Sequence, residues 1–73
     1  MRIGEMRDYY GVLEIRKADG SLHDAMLAAT RRAKRKPKEK ERVIGNTFSK
    51  VRYFNNTDDL HNYYSSLKAE LLT

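Results

Sequence analysis

Residues 21–36 read SLHDAMLAATRRAKRK, and whether they form a helix or a strand decides the fold. Their apolar members recur at helical spacing, as Leu22, Ala25, Met26, Ala29 and Ala33. Ser21 is a good N-cap residue, and Asp24 occupies the capping-box position three residues later, where Glu or Gln is usual. Pro37 disfavours a helical residue before it, so a helix would end at Lys36. The stretch therefore predicts a first helix with one apolar and one basic face.

The segments on either side of this stretch predict strands. Residues 9–17 alternate Leu13 and Ile15 with charged side chains, as a half-buried strand does. Residues 42–54 are rich in β-branched and aromatic residues. Within them, Gly45-Asn46 indicates either a two-residue hairpin turn, which we favour, or a bulge in one long strand.

In the second strand segment, alternation separates two pairs of side chains. Val51 and Tyr53 would face the core, and Lys50 and Arg52 would face outward.

A second helix is predicted after residues 55–57, which are capping residues. Asp58 and Asp59 follow where acidic side chains favour a helix N-terminus. The apolar stripe then consists of Leu60, Tyr63, Tyr64, Leu67 and Leu71. We therefore expect a small two-layer α+β domain in the order β-α-β-β-α, with an antiparallel or mixed sheet and two helices on one face.

Length and composition bound the class of protein. The 73 residues make a single domain, 1–73, in which we expect 1–8 to be flexible and 37–41 to be a basic loop. The chain has no cysteine, so it can form neither a disulfide nor a thiolate metal site. No apolar run approaches the roughly 20 residues of a membrane span, and the first residues lack the apolar stretch of a signal peptide. These features predict a cytoplasmic protein that does not bind membranes.

The positive charge is concentrated in residues 31–42. This window holds eight basic and two acidic residues, whereas the other 61 residues hold seven basic and eight acidic ones. The net charge of +5 therefore arises in one segment. Such a segment either attracts a polyanion, of which nucleic acid is the commonest in a cell, or is a solvated helix end and loop. Five basic residues in the six positions 31–36 exceed what helix capping requires, which favours a binding role.

The sequence contains no constellation of catalytic or metal-binding residues. His23 and His61 are the only histidines, and they are 38 positions apart with no partner at a recognised ligand spacing. The four glycines are isolated and do not form a phosphate-binding loop. We therefore expect neither an enzyme nor a cofactor.

The sequence contains three pairs of adjacent aromatic residues, of which the first two lie in predicted strands: Tyr9-Tyr10, Tyr53-Phe54 and Tyr63-Tyr64. On a strand, neighbouring side chains point to opposite faces, so one member of each strand pair must leave the core. Tyr10 and Phe54 are the candidates, because Tyr9 and Tyr53 share the predicted core positions. Exposed aromatic rings beside arginine and lysine can stack on bases or anchor a protein interface, although tyrosine also occupies core edges.

Residues 42–71 are similar in pattern to the C-terminal half of lambda-type phage head–tail joining proteins. In those proteins, a short hairpin leads into a capped helix that has a leucine in its first turn. The matching residues in this sequence are Val51, Tyr53, Thr57 and Leu60. The similarity covers under half of the chain and includes no functional residue. It implies a small protein that acts through interactions, and it assigns no site.

We interpret the chain as a nucleic-acid-binding protein that contacts mainly the phosphate backbone, with RNA slightly preferred over DNA. The alternative is a protein-interaction module, such as a phage-type inhibitor or assembly subunit, that docks on an acidic protein surface or on a second copy as a homodimer. The expected nucleic-acid-binding residues are Arg31, Arg32, Lys34, Arg35, Lys36, Lys38, Lys50 and Arg52, with Tyr10 and Phe54 as stacking or interface residues.

Overall fold

The computed structural model describes residues 5–72 and shows a four-stranded antiparallel sheet with one helix. The elements are β1 (Arg7–Lys17), β2 (Leu22–Ala33), β3 (Lys40–Ile44), β4 (Thr47–Phe54) and α1 (Thr57–Leu71). The strand order is β2-β1-β4-β3, so β2 and β3 are the outer strands. The predicted order β-α-β-β-α with two helices is therefore wrong. Of the end expected to be flexible, residues 1–4 lie outside the described residues, whereas Arg7 and Asp8 belong to β1.

The predicted first helix is instead the strand β2, and two bulges explain the error. The register between β1 and β2 shifts opposite Tyr10 and again at His23. At each shift β2 contributes one extra residue, which interrupts the alternation of a strand. Leu22 and Ala25 consequently pack on the same side although they are three residues apart, a spacing that also fits a helix. Pairing with β1 thus overrides the high helix propensity of alanine, leucine and arginine.

A tight turn closes each of the two hairpins, β1–β2 and β3–β4. In the loop between β1 and β2, Gly20 has a left-handed φ of +87°, and the backbone N–H and hydroxyl of Ser21 both donate to Asp19 Oδ1. Ser21 therefore closes a hairpin loop and does not cap a helix. Between β3 and β4, Gly45 has a φ of +59° and is followed by Asn46, as a type II′ turn requires. Of the two alternatives for this region, the hairpin is confirmed.

The predicted second helix is confirmed as α1. The side chain of Asn56 caps its start by accepting a hydrogen bond of 2.8 Å from the backbone N–H of Asp59. Asp58 and Asp59 lie in the first turn and Lys68 in the last, where their charges suit the helix dipole. The backbone N–H of Leu72 donates to the carbonyls of the last turn and ends the helix.

The helix packs on one face of the sheet, which we call the helix-covered face. Val12 and Ala25 are buried there against Leu67. Partly buried side chains surround this core, namely Leu22, Phe54, Leu60, Tyr63, Tyr64 and Leu71. Because side chains alternate along a strand, the helix-covered face also carries Tyr10, Glu14 and Arg16 of β1 and Phe48, Lys50, Arg52 and Phe54 of β4.

The opposite face of the sheet, which we call the helix-free face, carries a second set of apolar side chains. Its centre consists of Tyr9, Leu13 and Ile15 in β1, Val51 and Tyr53 in β4, and Met26 and Ala28 in β2. Tyr53 is buried, as predicted, but on this face, where its ring lies over Gly11. The prediction that Lys50 and Arg52 point away from the core side is wrong, since both lie on the helix-covered face.

Gly11 lies where β1, β2 and β4 approach one another closely. A Cβ atom at this position would lie 3.0 Å from Ala28 Cβ and 3.2 Å from Tyr53 Cε1. The tyrosine ring covers the space that the glycine leaves, a cross-strand arrangement that compensates for a glycine within a sheet.

Candidate nucleic-acid interface

The basic segment, residues 31–38, crosses one end of the sheet. Arg31 and Arg32 are near the end of β2, and the following residues belong to the connection 34–39 between β2 and β3. Since β2 and β3 are the outer strands, this connection passes the start of β1 and the end of β4. Lys36 Nζ lies 5.9 Å from the centroid of the Phe54 ring, at the end of β4. The predicted cations are therefore brought together in an extended connection and not along a helix.

Most cations of the basic segment have no anionic partner. Glu39, the acidic residue that follows the segment, contacts Arg52 at 2.6 Å and Lys50 at 3.9 Å, so it does not neutralise its neighbours. Lys36 lies against an aromatic ring. Within residues 5–72, no ion pair or hydrogen bond involves the exposed side chains of Arg31, Arg32, Lys34, Arg35 and Lys38. The segment thus presents a concentrated positive charge to solvent.

Arg31 and Arg32 diverge although they are adjacent in the sequence. Arg31 pairs in register with Tyr9, which places it at the rim of the helix-free face. Arg32 pairs with Asp8 and belongs to the opposite side. A single flat ligand would therefore meet Arg31 or Arg32, whereas the connection that follows is accessible from the end of the sheet.

Lys50 and Arg52 lie apart from the other predicted cations and contact Glu39. The Arg52 guanidinium lies 4.8 Å from the centroid of the Tyr63 ring, and its Nε donates to Glu39 at 2.6 Å. Burial lowers the pKa of Arg52, but the hydrogen bond to Glu39 and the nearby negative charges outweigh burial, and the pKa is raised overall. Both cations therefore tie the connection 34–39 to the sheet beside α1, and the structure does not bring them together with the unpaired cations.

Tyr10 and Phe54 also lie towards the helix side. They are paired across β1 and β4, and both are half-buried. The Phe54 ring lies 5.4 Å from the Tyr63 ring, and its other neighbour is Lys36. Phe54 is therefore part of the packing beneath α1.

A polar network joins the sheet to the helix at Glu14. Tyr63 donates a hydrogen bond from its hydroxyl to Glu14, and Arg16 donates to Glu14 at 2.5 Å and to Glu70 at 2.7 Å. Burial raises the pKa of Glu14, but the hydrogen bonds from Tyr63 and Arg16 outweigh it, so the pKa lies below its ordinary value. Burial and the bond to Glu14 raise the pKa of Tyr63 to about 12. Because these groups are mutually satisfied, the network holds α1 on the sheet.

Sequence reasoning did not single out the cations of the helix-free face as a set. Strand alternation and register place exposed basic residues around this face, with Asp24 as the acidic residue among them. These are Arg7, Lys17, Arg31, Lys40 and Arg42. The odd positions of β1, from Arg7 through Leu13 and Ile15 to Lys17, already contain the pattern of an apolar centre between two cations. The sequence pattern does not show which face of the sheet the helix covers.

The two histidines lie apart and exposed. His23 occupies the second bulge of β2, and His61 lies in α1. Within residues 5–72, no three or more histidine, cysteine, aspartate or glutamate side chains are grouped so that they could hold a metal ion. In the same range, no helix has both the length and the apolar character needed to cross a membrane.

Comparison of the chain with protein-family models, with curated proteins and with solved structures finds no match.

Proposed function

We propose that this protein binds nucleic acid, mainly through contacts between its basic segment and the phosphate backbone, with RNA slightly preferred over DNA. The observation that carries the proposal is the set of exposed cations in residues 31–38 that have no anionic partner among residues 5–72. Phosphate groups supply the missing negative charge, and the release of their counterions drives binding. An extended connection suits this role, because its side chains can follow a backbone without reading a base sequence.

The preference for RNA rests on the sheet. Four-stranded sheets are a common platform for single-stranded RNA, whose unstacked bases can spread over them. A duplex would meet the basic segment equally well, so we expect phosphate contacts to supply most of the affinity for either nucleic acid.

Fluorescence anisotropy with labelled duplex DNA, single-stranded DNA and structured RNA, each at several salt concentrations, tests this proposal. The logarithm of the affinity should fall linearly with the logarithm of the salt concentration. In the double variant Lys34→Glu/Arg35→Glu, the slope should decrease by about two units, roughly one for each phosphate contact removed. Unchanged binding by this variant, or no binding by the wild type at low salt, would refute the proposal.

A matched control separates local charge from net charge. The triple variant Asn62→Asp/Ser65→Asp/Lys68→Glu lowers the net charge by the same four units on exposed positions of α1. If phosphate contacts with the basic segment carry the binding, this control should retain most of the affinity. Equal losses in the two variants would mean that only the overall field of the protein attracts the ligand.

A protein-interaction module remains the second candidate, and exposed apolar side chains favour it. Val43, Ile44 and Phe48, in the β3–β4 hairpin, are 62%, 64% and 46% exposed, and Leu72 after α1 is 89% exposed. Such groups anchor protein interfaces when they cluster on a surface. The double variant Val43→Lys/Phe48→Lys should abolish self-association in sedimentation experiments if this hairpin forms a homodimer, while nucleic-acid binding should not weaken.

A further inference from the structure

The helix-free face combines an apolar floor with a cationic rim. Leu13, Ile15 and Val51 are half-buried at its centre, and Met26 is 40% exposed beside them on β2. No secondary-structure element of residues 5–72 packs over them, since α1 lies on the other face. An apolar floor of this kind in a small domain is characteristic of a surface that meets a ligand.

The charge around this floor selects an anionic ligand. Among residues 5–72, five exposed cations lie on this face, and Asp24 is the acidic strand residue that the register places there. Asp24 accepts a hydrogen bond from the backbone N–H of Ala25, and two further carboxylates lie near the rim, Asp19 beside Lys17 and Glu41 at the groove between Lys40 and Arg42. Two cations come from the ends of β1, one from the end of β2 and two from β3, so they surround the floor on several sides. They are Arg7 and Lys17, Arg31, and Lys40 and Arg42.

A groove marks where floor and rim meet. It has a volume of about 490 Å³ and lies between β1, β4 and β3. Its lining combines apolar Leu13 and Val51 with cationic Lys40 and Arg42, beside Ser49 and Glu41. This volume falls within the range of roughly 300–1,000 Å³ that is typical of sites for small organic groups. A planar base has the apolar surface for the floor, and the phosphate that follows it has the charge for the rim.

The apolar floor distinguishes single strands from duplexes. In a duplex the faces of the bases are stacked on one another, so only the phosphate backbone could reach this surface. In a single strand the bases are free to lie on the floor while the phosphates contact the rim. The aromatic residues of this face do not serve as stacking platforms, because Tyr9 and Tyr53 are only 5% and 8% exposed. Contacts with aliphatic side chains discriminate little between bases.

We propose that the helix-free face binds single-stranded nucleic acid, with bases against Leu13, Ile15 and Val51 and phosphates against Arg7, Arg31, Lys40 and Arg42. This inference rests on the proposed function and deepens it by assigning the form of the ligand and a second surface. Arg31 belongs to both surfaces, because it lies at the junction between the basic segment and this face. A bound strand would therefore continue from the floor onto the basic segment.

The decisive comparison uses the same substitution on two faces of neighbouring strands. Val51→Thr introduces a hydroxyl into the floor, whereas Val43→Thr does so at an exposed position on the other face of β3. The probes are labelled oligothymidylate of about 12 nucleotides and a duplex of the same length. Val51→Thr should weaken binding of the single strand about fourfold, the effect of roughly one lost apolar group, and leave duplex binding and the salt slope unchanged. Val43→Thr should change neither.

Each outcome of this comparison has a definite meaning. This inference would be overturned if the duplex bound as tightly as the single strand, or if both Val→Thr variants lost the same affinity for the single strand. Either result would leave the proposed phosphate-led function intact. Failure of the wild type to bind either probe would overturn both. If Lys34→Glu/Arg35→Glu weakens binding of both probes and Val51→Thr weakens binding of the single strand alone, both proposed binding surfaces are supported.

A measurement on the unaltered protein guards against a variant that fails to fold. With ¹³C-methyl-labelled methionine, the Met26 resonance should shift on addition of oligothymidylate, because its side chain lies on the helix-free face. The duplex should leave it in place. An unshifted Met26 resonance at saturating oligothymidylate would overturn the inference.

Discussion

The cations beneath α1 and the cations of the helix-free face differ in how they are paired. On the helix-covered face, Arg16, Lys50 and Arg52 each have a carboxylate partner, and two of these partners come from outside the sheet. On the helix-free face, the side chains of the five exposed cations form no ion pair or hydrogen bond within residues 5–72, although Lys17 lies near the carboxylate of Asp19. A charge beside a packed helix is costly to leave unpaired, whereas a charge in water is not. Pairing therefore marks cations that hold the fold, and its absence marks cations free to meet a ligand.

The largest expected effect tests which face provides the stability. Leu67→Ala removes a side chain that is 3% exposed and packs on Val12 and Ala25, so we expect a loss of about 2–5 kcal/mol in the free energy of unfolding. Leu13→Ala removes the same atoms from the half-buried helix-free face and should cost about 1 kcal/mol. Urea unfolding followed by circular dichroism measures both. Equal losses would mean that the helix-free face is also a packed core.

A smaller effect is expected at the close contact between strands. Gly11→Ala would place a methyl group 3.0 Å from Ala28 Cβ and should destabilise the protein by about 1–3 kcal/mol through overpacking. The double variant Gly11→Ala/Ala28→Gly moves the methyl group across the β1–β2 pair and should recover part of this loss. The midpoints of thermal unfolding of the two variants report the difference. No recovery in the double variant would show that contact with Tyr53, and not with Ala28, is limiting.

The fold illustrates what local sequence signals can and cannot predict. The Gly45-Asn46 turn and α1 were predictable, because a turn glycine and the capping residue Asn56 act over a few positions. The strand β2 was not, since its bulges imitate helical spacing and only pairing with β1 reveals them. Alternation correctly separated Lys50 and Arg52 from their neighbours in β4. It could not tell which of the two sets lies beneath α1.

The candidate site also has one part that the sequence predicts and one part that only the fold reveals. A count of charges found the cations of residues 31–42, because they are close together in the sequence. The cations of the helix-free face are scattered from Arg7 to Arg42 and come together only through the strand order β2-β1-β4-β3. Whether a cation is paired depends on distant carboxylates, such as Glu70 for Arg16, which are 54 positions apart. No pattern within a short window contains this information.

The polar network beneath α1 should make stability depend on pH. Because the pKa of Glu14 is lower in the folded protein, its contribution is complete above about pH 4.5 and is lost as the pH falls through the folded value. Tyr63, whose pKa is raised to about 12, stabilises the fold below pH 10 and loses this contribution as the pH rises towards 12. Tyr63→Phe should reduce both dependences in urea unfolding measured across the pH range. An unaltered alkaline limb in this variant would assign that limb to other groups.

The smallest effect compares one arginine from each face. Arg52→Gln breaks the 2.6 Å contact with Glu39 and the contact with the Tyr63 ring, so the free energy of unfolding should fall by about 1 kcal/mol. Arg42→Gln removes an exposed cation without an ion pair and should change stability by less than about 0.5 kcal/mol. Nucleic-acid binding should respond in the reverse order, with the larger loss for Arg42→Gln. A destabilising Arg42→Gln that left binding intact would mean that Arg42 belongs to the fold, and the distinction between paired and unpaired cations would then fail at its most direct test.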